Sequence, residues 1–244
     1  SITTSMTQLQ ILSAHSSRQL TQLHRYLQDH GISATLATRV QRNAQHFIQE
    51  QKRNTPESSV ELLTVLSQPL RVELAYEVHG PVLQWHPFFR VYNRMSPAGL
   101  RQICHAAVQR LFLTKDDVLF NDGEMPAQPR MFFLVTGELA YKRKGRTPEY
   151  VEAGEWISEP VLWTLSWFHH GGMSASTECN LLCLIADQFQ QITKQFMTGP
   201  NFQPGMYAQM YLQCLNRVAD DNRKEVYCED YMDVSEISSK FVSE

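Results

Sequence analysis

The hydrophobic period of the chain changes near Lys115, and this change constrains the fold more than any other feature. Before it, apolar residues recur at three- and four-residue steps, which is the period of a helix with one buried face. After it, short apolar runs separated by glycine or proline indicate β-strands. The helical period returns after Asp187. The sequence therefore predicts an α+β fold, in which helices precede and follow an antiparallel, jelly-roll-like β-roll.

Apolar stripes predict four helices in the first part of the chain, and all residues up to about 113 are expected to be helical. The first helix covers Met6 to Leu27 and ends at a glycine soon after, and a second follows directly. A third begins with the capping sequence at Thr55 and is expected to stop at Gly80–Pro81. Ser96–Pro97 begins the fourth.

The β-roll is predicted from short runs of β-forming residues between glycine and proline turns. Five strands are expected: Val118–Phe120, Met131–Val135, Leu139–Tyr141, Tyr150–Val151 and Leu181–Ile185. Two helices follow, one around Phe189 and one around Met210, with a break at Gly199–Pro200 between them.

Composition and short motifs exclude several functions. The net charge is −3 and the longest basic run is Lys142–Lys144, so no nucleic-acid partner is expected and this run is interpreted as a solvated hairpin tip. The sequence contains no run of about eighteen apolar residues, so no membrane span is predicted. The five cysteines are scattered without a CxxC pair, which favours a reducing, cytosolic setting. No nucleophile–base pair, P-loop or HExxH motif is present, so we do not expect an enzyme.

The segment "VLFNDGEMPAQPRMFFLVTGELAY" resembles the signature of the cyclic-nucleotide-binding domain family. Gly123–Glu124 stands at the turn of that signature, Met131–Val135 at its strand and Gly137 at its hairpin. Glycines suit such corners because they reach positive φ without a steric penalty. The turn is two residues longer than the family's usual spacing.

Upstream, "SSVELLTVLSQPLRVELAYEVHGPVLQWHPFF" is similar to the C-linker of channels that carry this domain. The matching residues are Leu63, Leu66, Pro69, Leu70, Arg71, Glu73, Leu74, Pro87 and Phe89. The opening "SITTSMTQL" resembles the tail of a last pore helix, so we expect the chain to be a piece of a longer protein. The resemblance divides the chain into a helical C-linker (1–86), a cyclic-nucleotide-binding-like roll with flanking helices (87–219) and an acidic tail (220–244), which we expect to be loosely held.

In such channels the C-linker joins the pore to the nucleotide domain, and four copies form a ring below the pore. The resemblance implies a gating region of a voltage-gated potassium or related cation channel, on the cytoplasmic side of a membrane. Its expected partners are the transmembrane pore domain of the same chain and three identical subunits in a homotetramer. Leu70, Leu74 and Val78 follow one face of the third helix. That face is either an interface and lever or an ordinary core face.

The family's pocket is a short helical turn after a strand, whose glutamate accepts the ribose hydroxyl while an Arg–Thr/Ser pair holds the cyclic phosphate. The run Gly154–Trp163 stands at this place. The resemblance assigns five candidate ligand-binding residues: Ile157, Ser158, Glu159, His169 and His170. Glu159 matches the ribose carboxylate, but Ser158 replaces a glycine.

His169 and His170 stand where the family has the arginine and the hydroxyl residue. Arginine is always charged, whereas histidine near neutral pH is mostly neutral. A charge-assisted hydrogen bond contributes roughly 1.5–3 kcal/mol, so its loss weakens binding on the order of ten- to a hundredfold. We therefore expect cyclic AMP or GMP to bind weakly or not at all, and no other cofactor or metal. Three tryptophans close by, Trp156, Trp163 and Trp167, indicate a pocket filled by aromatic side chains.

Three alternatives stay open at this point. Glu159 could be a capping or surface carboxylate instead of a ligand residue. The His169–His170 pair could contribute to a metal site, although a solvated loop is the simpler interpretation. The domain could also be a functional cyclic AMP or cyclic GMP sensor of channel or kinase-regulatory type, an alternative against which the long linker argues.

Overall fold

The computed structural model describes residues 17–53, 60–196 and 204–221. The chain divides into two compact units, Ser1–Val65 and Leu66–Glu244. The functional boundary that the sequence predicts after residue 86 is a different division, and it stays a prediction. The predicted start of the first helix, the cap at Thr55, the Gly199–Pro200 break and the acidic tail beyond residue 221 lie outside the described residues.

The described residues of the first unit, 17–53 and 60–65, form helices. Helix α1 is described over residues 17–29, α2 covers Ala34–Arg53, and a short 3₁₀ helix covers Glu61–Val65. Gly31, with φ of +60°, ends α1 as the sequence predicts. The amide of Ile32 donates to the Leu27 carbonyl at 3.1 Å and that of Gly31 to the Gln28 carbonyl at 3.0 Å, which is the Schellman pattern.

The second unit opens with three helices that each carry proline in the first turn: α3 (Gln68–Leu83), α4 (Pro87–Met95) and α5 (Pro97–Ala106). Proline suits this position because its missing N–H would have no partner there. Ser96 ends α4 and begins α5, as the sequence predicts for the start of that helix.

The third helix was predicted as continuous up to Gly80–Pro81, and the described residues differ from this in two ways. From residue 60 onwards, the 3₁₀ helix Glu61–Val65 is followed by Ser67, the N-cap of α3, and α3 begins at Gln68, so that Pro69 lies in its first turn, where its ring meets no earlier helical turn. The helix then continues through Gly80–Pro81 to Leu83. Pro81 lies in the last turn and removes one backbone bond, while Gly80 allows the Tyr76 ring to lie against the helix, where a Cβ would meet it at 3.0 Å.

The prediction that residues up to about 113 are helical is also wrong. Helix α5 ends at Ala106, and Val108–Leu113 form strand β1. Val108 and Leu111 continue the helical spacing of α5, which produced the error. All six residues of β1 pair antiparallel with a later strand, and this tertiary pairing overrides the local period.

Seven further strands complete the roll. They are β2 (Val118–Phe120), β3 (Arg130–Thr136), β4 (Glu138–Lys142), β5 (Glu149–Glu152), β6 (Trp156–Ile157), β7 (Gly172–Ala175) and β8 (Cys179–Ile185). All five predicted strands are confirmed, and β1, β6 and β7 were missed. They form two antiparallel four-stranded sheets with the orders β1-β8-β3-β6 and β2-β7-β4-β5. The α+β fold with a jelly-roll-like β-roll is therefore confirmed.

The sheet β1-β8-β3-β6 is buried on both faces. One face packs on the other sheet through residues such as Phe132, Leu134 and Leu181, and the opposite face packs on helices through Met131 and Phe133. The helical layer includes α4 and α5, the single-turn α6 (Pro160–Trp163), α7 (Ala186–Gln195) and α8 (Pro204–Asp221). The return to helix after Asp187 is thus confirmed.

Gly137 makes the β3–β4 turn possible. Its φ is +98°, and a Cβ at this position would lie 2.3 Å from the carbonyl oxygen of Glu178. No side chain can occupy that space, so the hairpin glycine of the sequence motif has a steric cause.

Candidate functional site

The turn between β6 and α6 carries three of the five candidate residues. Ile157 pairs with Phe132 of β3 and is buried between the two sheets. Ser158 then reverses the chain with φ of +61°, and Glu159 leads into α6, whose first residue is Pro160. The positive φ at Ser158 directs the chain from the sheet edge into the helical layer, so the Glu159 side chain enters the core.

Glu159 is only 3% exposed, and its carboxylate is surrounded by protein donors. Oε1 accepts hydrogen bonds from the Trp163 indole N–H at 3.0 Å and from the Tyr207 hydroxyl at 2.9 Å. Oε2 lies 3.0 Å from Nε2 of His86. The side chain makes no capping hydrogen bond, so neither the capping nor the surface interpretation of Glu159 fits.

His86 faces Glu159 with its protonated nitrogen. The residue is fully buried at the start of α4, and its Nδ1 accepts the Phe88 amide at 3.1 Å. That bond places the proton of the neutral imidazole on Nε2, on the side of the carboxylate. The ring also lies edge-on to Trp156, with centroids 4.6 Å apart. Trp163 of α6 and Tyr207 of α8 thus donate hydrogen bonds to one buried carboxylate, and His86 at the start of α4 lies 3.0 Å from its other oxygen without hydrogen-bond geometry. These contacts offset part of the cost of burying the carboxylate.

Ser158 combines an unfavourable backbone conformation with a buried polar atom. The residue is fully buried at positive φ, and its hydroxyl oxygen is buried with no hydrogen-bond partner among the described residues. Positive φ is unfavourable for any residue with a Cβ, and an unpaired buried hydroxyl adds to this cost. A glycine at this place would avoid both costs.

His169 and His170 differ in their surroundings. His169 is buried, and its ring stacks on Phe120 with centroids 3.7 Å apart and planes at 10°. Its backbone exchanges hydrogen bonds with the β2–β3 turn, since its N–H donates to Glu124 and its carbonyl accepts from Gly123. His170 is exposed and lies edge-on to Trp167. His169 thus packs against a loop, as a structural residue does.

The structure unites Glu159 with residues that the sequence did not single out for this site. Trp163 was expected as an aromatic filler, but His86 and Tyr207 were missed. His86 precedes a helix-starting proline, where a capping side chain is common, and this signal could have drawn attention to it. Tyr207 follows the apolar period of α8 and looks like any core residue in the sequence. The ligand-binding roles of Ile157, Ser158, Glu159, His169 and His170 stay predictions.

A second candidate surface lies on α3. Leu70, Leu74 and Val78 follow one helix face as the sequence indicates, but their side chains are 52%, 38% and 42% exposed. A groove of about 520 Å³ runs beside them, and it is lined by Leu66, Leu70, Glu73, Leu74, Tyr76, Glu77 and Arg101. The second unit therefore presents an apolar surface with two carboxylates, Glu73 and Glu77, and one guanidinium, Arg101, which we call the α3 face.

No family model matches the chain, and a search of curated proteins finds no significant match. Within residues 17–53, 60–196 and 204–221, no helix combines the length and apolar character needed to cross a membrane. Across the same described ranges, no group of three or more His, Cys, Asp or Glu side chains is placed to hold a metal ion.

Proposed function

We propose that this chain is the cytosolic gating region of a voltage-gated potassium or related cation channel, with a degenerate cyclic-nucleotide pocket. In this proposal residues 1–86 are the C-linker, the following roll is the regulatory domain, and the chain acts on the cytoplasmic side of a membrane. It acts on the pore domain of the same polypeptide within a homotetramer and performs no catalysis.

The observation that carries the proposal is the use of the Glu159 carboxylate by the protein itself. The resemblance gives this residue to a ribose hydroxyl, yet Tyr207 and Trp163 already donate to it and His86 faces it. A nucleotide would have to displace at least one donor that is buried with it. Neither His169 nor His170 supplies a permanent charge for a cyclic phosphate. A roll that keeps the nucleotide-domain architecture without a free pocket fits a regulatory scaffold.

Nucleotide binding is tested by titrating the chain with a fluorescent cyclic AMP analogue and a fluorescent cyclic GMP analogue. We expect no saturation below about 1 mM, because the loss of the guanidinium and the engaged carboxylate each weaken binding. The test variant is Glu159→Ala, which removes the buried carboxylate. The control is Glu155→Ala, which removes a nearby carboxylate whose hydrogen bond from the Glu152 amide is exposed. Saturable micromolar binding that Glu159→Ala abolishes and Glu155→Ala retains would favour the alternative, a functional cyclic-nucleotide sensor.

The α3 face supports the proposed tetramer because it is the kind of apolar surface that a second copy can cover. Its carboxylates, Glu73 and Glu77, would favour basic side chains in the partner copy. We expect Leu70→Gln combined with Leu74→Gln to reduce self-association in sedimentation velocity. Leu165→Gln is the control, because Leu165 is a fully exposed leucine elsewhere in the same unit. Equal association of both variants and the parent chain would argue against this surface.

The channel itself is tested by expressing the complete gene product in oocytes under voltage clamp. We expect a voltage-dependent cation current that changes when residues 66–221 are deleted. The proposal is rejected if the polypeptide contains no membrane-spanning segments before Ser1, or if the complete protein is recovered only in the soluble fraction.

A further inference from the structure

Helix α8 is attached to the roll through one face. Tyr207, Tyr211 and Leu215 are buried at successive turns of this face, whereas Met206 beside Tyr207 is 42% exposed. Tyr207 packs against Phe88 and Trp163, with ring centroids 5.0 and 5.3 Å apart. Aromatic packing therefore places α8 against α4 and α6.

A hydrogen bond to a carboxylate joins α8 to this layer. The Tyr207 hydroxyl donates to Oε1 of Glu159 across 48 positions of sequence. Burial and the neighbouring Glu159 carboxylate raise the pKa of Tyr207 well above its usual range, so the hydroxyl keeps its proton and remains a donor. Hydrogen bonds to ionised acceptors are roughly twice as strong as neutral ones.

The same carboxylate is held from the other side. Trp163 donates to it from within α6, and His86 faces it from the start of α4. Glu159 is thus fixed by elements other than α8, and the Tyr207 hydroxyl meets a preorganised acceptor. When α8 leaves, the carboxylate loses one of its donors inside the core, and that loss opposes undocking.

We infer that Glu159 is a latch whose carboxylate holds α8 docked on α4 and α6 through the Tyr207 hydroxyl, with no small ligand required. Tyr207 and His86 are positioning residues in this arrangement, and Trp163 orients the carboxylate. The latch is a property of the chain alone. Its use in regulation, as the element that a gating signal would release, depends on the proposed function.

The test is hydrogen–deuterium exchange of the parent chain and of Glu159→Gln, Tyr207→Phe and the double variant. We expect amides of residues 208–216 in α8 to exchange at least tenfold faster in each single variant. The double variant should exchange no faster than the faster single variant, because both changes act on the same hydrogen bond: Glu159→Gln weakens it by removing the carboxylate charge, and Tyr207→Phe removes it. Amides of β3 and β8 should stay within twofold of the parent. Thr193→Val is the control, since it removes a buried hydroxyl whose hydrogen bonds stay inside α7.

Two results would overturn the inference. One is unchanged α8 exchange in Tyr207→Phe. The other is equal acceleration in α8 and in β3 and β8, because Glu159 would then stabilise the whole unit and not one helix. Tyr207→Phe removes a single oxygen, so it keeps the test valid if Glu159→Gln does not fold. Exchange requires no channel activity. An intact latch in a protein that conducts no current would therefore count against the proposed function alone.

Discussion

Ser158→Gly is expected to stabilise the second unit, although it removes a side chain from the core. A residue with a Cβ in the left-handed region costs about 1–2 kcal/mol, and an unpaired buried hydroxyl costs about 1–3 kcal/mol. Ser158 has both features. Glycine loses about 0.5–1 kcal/mol through the greater freedom of the unfolded chain. Weighing these terms, we expect the free energy of unfolding to rise by about 2 kcal/mol, within the usual range for single stabilising changes.

The assay is urea denaturation followed by tryptophan fluorescence. With a typical slope of about 2 kcal/mol per molar urea, the midpoint should move up by about 1 M while the slope stays constant. Ser158→Ala is the matched variant, because it removes the hydroxyl but keeps the Cβ at φ of +61°. It should recover only part of the gain. Equal stability of the alanine and glycine variants would refute the argument from backbone strain, and a destabilised glycine variant would refute the whole reasoning.

Three further outcomes follow from other buried groups. Burial lowers the pKa of His79 from 6.5 to about 4, so the folded state binds fewer protons than the unfolded chain between these values. Stability should be full above pH 6.5 and fall as the pH drops towards 4, and urea midpoints measured across this window should fall less in His79→Gln. Gly137→Ala should lower the midpoint strongly, because its Cβ would meet the Glu178 carbonyl at 2.3 Å; near-parental stability would contradict the steric argument. Burial raises the pKa of Cys104 and Cys183 to about 12, so both should resist iodoacetamide at pH 8 until the protein is unfolded, as mass mapping of the alkylated peptides would reveal.

The strands most visible in the sequence are those buried on both faces. "MFFLV" in β3 and "LLCLI" in β8 are continuous apolar runs because one face meets the helices and the other meets the second sheet. The missed strands have weaker signals. Strand β6 has two residues, and β7 reads "GMSA", with no β-branched or aromatic side chain. Strand β1 keeps a helical spacing, and only its pairing with β8 reveals its structure.

For the candidate site, too, the sequence indicates features that depend on neighbouring residues but not contacts between residues that are far apart in the chain. Motif spacing drew attention to Glu159 and Ser158, which are neighbours in the sequence. The contacts of Glu159 could not follow from spacing, because Tyr207 lies 48 residues away on another helix. The exposure of the α3 face was not predictable either, since Leu70, Leu74 and Val78 have the period of an ordinary buried face. A periodic apolar pattern indicates which residues share one face of a helix. Whether another element covers that face depends on tertiary packing.

The prolines that begin α3, α4 and α5 also restrict how this helical segment can move. A helix cannot grow backwards past such a proline, because the ring removes an amide proton and crowds the preceding residue. Between α4 and α5 only Ser96 remains, with φ of −140° and ψ of 73°, and it is buried. Helix α5 therefore cannot lengthen towards α4 at this joint. A change in the angle between α4 and α5 would be taken up mainly by the two backbone torsions of Ser96.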